Sequence, residues 1–271
     1  MLCKVCEFHT ATTSEGYCDV CIQVAAAQAT PSPGAPGGRP ARLRSPVGLG
    51  WAVVVLLGLV ILADLYALWA GTVQRGVMDD IIAGEYGAGI QRDLERADSL
   101  YDYSGIAQIS ALVATCAVFL VWFHRVRVNA EVFEPHIHHK TRGWTIGAWF
   151  VPVVNFWFPR RIALDIWDAS SDRSVALDRT LTLDPTASRA PHPLLNAWWT
   201  VWVANLLIAR VTYQVYVGAE EAEEIKSALT GVMFSDVLDI AAAVLAIVFV
   251  LRLTRMQDLK ARSEDRLPVR G

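Results

Sequence analysis

Lysine is scarce, with four residues against twenty arginines, and neither sign of charge prevails: the net charge is -3. A chain without a basic excess lacks the electrostatic footprint of a nucleic-acid binder. No G-x-S-x-G, phosphate loop or H-E-x-x-H occurs, so the sequence offers no motif for acyl transfer, nucleotide hydrolysis or zinc proteolysis. The chain is therefore expected not to be an enzyme. The first apolar run begins near residue 50, too late for a secretory signal, and no cleavable signal peptide is expected. Cysteine is sparse too: of five, four fall before residue 22.

Apolar residues are plentiful. They make up 54 % of the 271 residues, above the roughly 45–50 % of soluble domains, and they come in blocks. Gly50–Gly71, Gly105–Phe123, Leu194–Val217 and Val237–Leu251 are long apolar runs. A bilayer-crossing helix needs about 20 largely apolar residues. The fourth run qualifies if Asp236 and Arg252 sit at its interfaces. The expected fold is an all-α integral membrane bundle with crossings near 50–71, 105–123, 194–217 and 236–252.

The N-terminal cysteines form two C-x-x-C pairs, Cys3/Cys6 and Cys18/Cys21, eleven residues apart. Each pair brings two thiolates onto one knuckle, and two knuckles complete a tetrahedral zinc shell. A segment of 24 residues buries too little to fold unaided, so the metal would supply the folding free energy. Two disulfides or a redox pair are the alternatives, and disulfides need an oxidising compartment. The expectation is a structural zinc ribbon over residues 1–24, with Cys3, Cys6, Cys18 and Cys21 as ligands and a cytosolic protein partner. Cys116 lies inside an apolar run and reads as packing.

Residues 25–46 hold five prolines and three glycines without a large aromatic side chain. Such a segment is a flexible linker. It leads into a membrane domain over 47–255 and a basic tail over 256–271.

Orientation follows from arginine and lysine in the short flanks. Arg39, Arg42 and Arg44 precede the first run, Arg125, Arg127, Lys140 and Arg142 follow the second, and six basic residues follow Leu251. Thr72–Tyr103 carries three arginines against seven acids, and Gly218–Phe234 carries four glutamates and one lysine. Both termini are thus expected in the cytosol of a multi-pass plasma-membrane protein, and the crossings must be even in number. Abundant alanine and arginine suggest a GC-rich bacterial genome.

Parity constrains "WFVPVVNFWFPRR" (Trp149–Arg161). Trp144–Phe158 is fifteen residues, about 22 Å as a helix, against a hydrocarbon thickness near 30 Å. Pro152 interrupts it and Pro159 ends it. Residues 144–170 are therefore expected to form a re-entrant or interfacial helical hairpin carrying Trp149, Pro152, Asn155, Trp157, Pro159, Arg160 and Arg161. A short, broken fifth crossing is the alternative. Beyond Pro159, Ile162, Ala163, Ile166 and Trp167 would lie on one face and Arg161 and Asp165 on another, as an in-plane amphipathic helix.

"FLVWFHRVRVNAEVF" (Phe119–Phe133) and "GWTIGAWFVPVVNFWFPRRIALDIWDAS" (Gly143–Ser170) resemble a bacterial domain-of-unknown-function family, number 4328. The W-F-x-P-x-x-N-x-W-x-P pattern is the most specific part. The resemblance, over roughly residues 48–255, implies a multi-pass membrane protein, often with an N-terminal cysteine ribbon. It implies no activity and no catalytic residues.

Charges inside the runs are costly and are the best functional pointers. Asp64, Arg210 and Asp239 would sit at similar depth, within about 10 Å of the outer interface, and are expected to form a charge-balanced cluster. Such a cluster orders a bundle or lines a path for an ion or small solute. Glu134–His139 ("EPHIHH") with His124 matches no helix-borne metal pair and reads as a polar loop. Two functions follow: a non-enzymatic protein whose ribbon recruits or senses a partner, or a transporter or channel component, for which four crossings would call for an oligomer.

Overall fold

The structure is a computed structural model that describes residues 43–135, 137–171 and 192–265, together with Thr10, Thr12, Cys18 and Asp19. The chain divides into two compact units, Met1–Pro40 and Ala41–Gly271. In the first, Cys18 is buried and the Thr12 hydroxyl donates to Asp19 Oδ1 at 2.7 Å. The other ribbon ligands expected, Cys3, Cys6 and Cys21, lie outside the described residues, as does the linker.

The regular elements among the second unit's described residues are all helices, joined by turns and loops. Its elements are α1 (Val47–Ile82), α2 (Ala88–Phe133), the single turn α3 (Trp144–Gly147), a 3-10 turn (Val154–Phe156), α4 (Phe158–Ser170), α5 (Pro193–Val217) and α6 (Ala222–Asp265). Four of these, α1, α2, α5 and α6, are long and apolar enough to cross a bilayer. Each presents large apolar side chains outward: Leu62, Val113 and Val211 are all more than 60 % exposed. A soluble protein would bury such stripes; a lipid-facing helix has no reason to.

Three helices, α1, α2 and α6, extend well beyond their apolar runs. The loops expected at Thr72–Tyr103 and Gly218–Phe234 are instead mostly helix, leaving short turns at 83–87 and 218–221. These extensions pack on one another. Val77 and Met78 of α1 bury against Ala97 of α2, Gln74 Nε2 donates to Asp98 Oδ1 at 2.9 Å, and Lys226 of α6 pairs with Asp79. Gly84 and Gly87 carry the turn between α1 and α2 at φ 87° and 123°, a region open mainly to glycine.

α1 packs along both α2 and α6, and α5 packs along α6, whereas the backbones of α2 and α5 stay apart and meet through rings, Tyr101 with Tyr216 at 5.6 Å and Phe119 with Trp198 at 6.2 Å. Small residues allow the close approaches: a side chain at Gly50 would meet Thr254, and one at Gly231 would meet Thr212. The core is aromatic. Phe249 of α6 stacks on Trp198 at 4.8 Å and on Trp167 at 5.9 Å, and Trp122 meets it edge-on at 6.1 Å. Trp122 donates to Thr254 Oγ1 at 3.1 Å, which satisfies its buried N–H.

One end of the bundle holds a polar network. Asn129 of α2 accepts from the Arg44 N–H at 3.0 Å and donates to the Arg44 carbonyl at 2.8 Å and to Gln257 Oε1 at 3.1 Å. Gln257, 1 % exposed, donates to the Val126 carbonyl at 2.8 Å and the Ser170 hydroxyl at 3.1 Å. The start of α1, α2, α4 and α6 are thereby joined at what we term the network end.

Residues 137–171 leave that end and return to it. The Lys140 carbonyl accepts from Arg127 at 2.8 Å, and Lys260 donates to the Ala169 carbonyl at 2.8 Å. Between these anchors Trp149 inserts against Phe119 and Phe123 of α2 and Trp199 and Trp202 of α5. Pro152, Val153 and Val154 form a γ-turn: the Val154 N–H donates to the Pro152 carbonyl at 2.7 Å, with Val153 at φ 68°, ψ -51°. α4 keeps Ile162, Ala163 and Ile166 on one buried face and Arg161 exposed, as expected, but Asp165 does not join Arg161 outside. Ile162 through Ile166 are all buried, Asp165 among them at 2 % exposure, because α4 packs on α2, α5 and α6 at once.

Candidate functional site

The site is built where α1, α2, α5 and α6 converge beyond the inserted tryptophans. Asp64 lies on α1, Gln108 on α2, Asn205 on α5, and Asp236 and Asp239 on α6. Gln108 Nε2 donates to Asp64 Oδ1 at 2.9 Å and to Asp236 Oδ1 at 3.0 Å. Asn205 Nδ2 donates to Asp239 Oδ1 at 3.0 Å. The three carboxyl groups interact electrostatically. Asp64 is 2 % exposed, and its Oδ2 has no hydrogen-bond partner among the described residues. Asp236 and Asp239 are spaced i, i+3, so one helix face presents both.

The cluster differs from the charge-balanced one expected. Asp64 and Asp239 come together, but Arg210 is not with them: it is exposed on α5, its guanidinium meeting the Gln214 side-chain oxygen at 2.9 and 3.2 Å. Equal depth did not place it on the inward face, because α5 turns that face away from α1. Two amides, Gln108 and Asn205, supply the hydrogen bonds that the guanidinium was expected to supply. Gln108 stands inside the apolar run 105–123, so its polarity was a readable signal; Asp236 reads from sequence as an interfacial end residue. Among the described residues no group of three or more histidine, cysteine or acidic side chains has metal-binding geometry.

Between this cluster and the segment 144–157 lies a cavity of about 270 Å³. It fills the gap left where the backbones of α2 and α5 stand apart. Leu57 and Val60 of α1 and the alanines 242, 243 and 246 of α6 form its back wall. Trp149 and Asn155 close the network end, and Asp239 stands at the other. Leu112 and Phe150 on its rim are 53 % and 71 % exposed, so the cavity opens sideways, toward the lipid-facing surface.

The remaining residues singled out between Trp149 and Arg161 lie apart from one another. Pro152 and Trp157 are exposed, Pro159 is buried in the first turn of α4, and Arg160 donates to Asn196 Oδ1 of α5 at 2.7 Å. Arg161 is exposed, 3.9 Å from Asp165. Asp165 also accepts from the His139 backbone N–H at 3.2 Å, with the His139 ring at the same distance. Arg127, 2 % exposed, pairs with Glu131 at 2.8 Å, and Arg142 pairs with the same glutamate. His138 lies half-buried beside Arg127. Burial first, and then that guanidinium, hold its imidazole below the usual histidine range, against a pull from the Ala130 backbone.

A family model described as "Domain of unknown function (DUF4328)" matches residues 88–255. The chain belongs to this family. The DUF4328 match begins at the first residue of α2 and ends within α6, so it takes in Gln108, Asn205, Asp236, Asp239 and the hairpin. It leaves out α1 with Asp64 and the cysteine-bearing unit. No curated protein and no solved structure matches the chain.

Proposed function

We propose that this chain is a non-enzymatic membrane protein that holds a cytosolic zinc ribbon at the plasma membrane, where the ribbon recruits or senses a protein partner. The observation that carries the reading is the division of the chain. Met1–Pro40 is compact by itself and contains four of the five cysteines, and Cys18 is buried within it. Paired C-x-x-C knuckles in so short a unit are the arrangement a structural Zn²⁺ requires. Arg44 before α1, Arg125 and Arg127 on α2 and Lys260 on α6 flank the network end, which supports placing that end in the cytosol. The out-and-back path of residues 137–171 supports reading 144–170 as a re-entrant hairpin, with its irregular backbone covered by protein as a bilayer demands.

A second reading, a component of a transporter for a small solute or ion, is supported by the carboxyl cluster at one end of the cavity. Affinity capture from the native host separates the two. The wild-type chain and a Cys3→Ser/Cys6→Ser variant are compared, with zinc per chain measured on both. Recruitment expects one zinc and a defined partner set, both lost in the variant. Identical partner sets, with zinc unchanged or absent from both, would remove the recruitment reading.

A further inference from the structure

We propose that the lateral cavity is a binding site for a lipophilic amine, an apolar molecule of roughly ten to fifteen heavy atoms bearing one ammonium group, taken up from the bilayer. Three observations converge on that chemistry. The walls are almost wholly apolar, built of leucine, valine, alanine and tryptophan side chains, so the body of the ligand is hydrophobic. The size fits: about 270 Å³ is a little under twice the roughly 150 Å³ of an engineered cavity that holds benzene.

The polar groups fix the charge. Asp239 at one end has Oδ1 bonded to Asn205 and is the sole ionisable acid on the lining. Asn155 lines the other end, and its buried Oδ1 has no partner among the described residues. Thr115 already donates its hydroxyl hydrogen to the Ala111 carbonyl at 2.7 Å, so its oxygen is left as an acceptor. The lining thus carries one carboxyl group, the Thr115 acceptor, the Asn155 amide and the indole N–H of Trp149, which has no partner among the described residues, and no basic side chain contributes to it. A carboxylate or phosphate headgroup would meet no basic side chain and would face Asp239, and a pure hydrocarbon would leave the Asp239 carboxyl with its Asn205 hydrogen bond but no counter-charge. An ammonium satisfies Asp239, and the aromatic rings of Trp149, Trp198 and Trp202 suit a cation and an apolar body alike.

The route is sideways. Leu112, Cys116 and Phe150 form an exposed rim on the face where α2 and α5 stand apart, so the ligand enters from the hydrocarbon layer. Its selection is independent of the ribbon.

The test uses the full chain in lipid nanodiscs and three probes that share a mid-chain diazirine: n-octylamine, n-octanol and octanoic acid. After photolysis, cross-links are mapped by mass spectrometry. The amine is expected to label the cavity peptides around Leu112–Leu120 and Trp198–Trp202, saturably, and to be competed by unlabelled n-octylamine. Asp239→Asn is expected to weaken that labelling by about tenfold or more, with helicity retained. Should Asp239→Asn fail to fold, the comparison of amine with alcohol on the wild-type chain decides. Equal cavity labelling by amine and alcohol, stronger labelling by the acid, or labelling spread over lipid-facing residues such as Val55 and Leu62 without competition would overturn the proposal.

Discussion

Asp64 and Asp236, on helices adjacent in space but far apart in sequence, share one amide donor: Gln108 Nε2 lies 2.9 Å from the first and 3.0 Å from the second. The bond is a clasp across α1, α2 and α6. Replacing Gln108 by leucine removes both hydrogen bonds and leaves two carboxyl groups facing one another. We expect a loss of about 1–3 kcal/mol, measured as resistance to unfolding in mixed detergent. Asp64→Asn removes one of the facing acids and should be neutral or stabilising. If Gln108→Leu unfolds like wild type, the clasp is not a source of stability.

Arg210 makes the complementary case. Because it is exposed on α5 and apart from the acids, Arg210→Leu should shift stability by no more than about 0.5 kcal/mol in the same assay. An Arg210 loss as large as that of Gln108→Leu would mean that the guanidinium reaches the cluster after all.

Val153 is a β-branched residue held at φ 68° on the exposed tip of the γ-turn. A residue forced into that region costs on the order of 1–3 kcal/mol. Glycine adopts it freely and gives back about 0.5–1 kcal/mol of that gain through chain entropy. Val153→Gly should therefore raise the thermal midpoint, while Val153→Ala, which keeps the strain, should not.

His138 gives the network end a pH dependence. The imidazole is held below the usual histidine range by burial and by Arg127. Below about pH 6.5 the unfolded chain takes up a proton that the folded chain refuses. Stability is therefore complete above that pH and declines as pH falls through it toward the lower folded value. His138→Gln should flatten the thermal midpoint between about pH 7 and pH 5. A wild-type midpoint that rises on acidification over that range would contradict the assignment.

Much of this arrangement was legible in the sequence, for reasons that also mark where legibility stopped. The four apolar runs announced four bilayer-length helices because hydrophobic length is a strong, local signal. The same signal is blind to the extensions of α1, α2 and α6, whose charged residues face outward while Val77, Met78 and Ala97 pack inward. The burial of Asp165 in α4 depends on His139, a contact from another segment that no periodicity within α4 can disclose. Asp64 and Asp239 stand out because a charge in an apolar run is a strong signal. Gln108 and Asn205 give a weaker one, since amides are cheaper to bury, yet they are the groups that hold the acids. The cavity has no sequence signature at all, since it arises where two helix backbones stand apart.

The sides of the membrane on which residues 144–170 begin and end decide between a hairpin and a fifth crossing. A protease-recognition site inserted after Arg142, and separately between residues 172 and 191, can be assayed in sealed, oriented membrane vesicles of the full-length chain. Both sites should be cut from the same side, the side that also exposes the C-terminal tail. Cleavage of the two sites from opposite sides would make the stretch a fifth crossing and contradict the hairpin, the shared side of the termini and the cavity floor together.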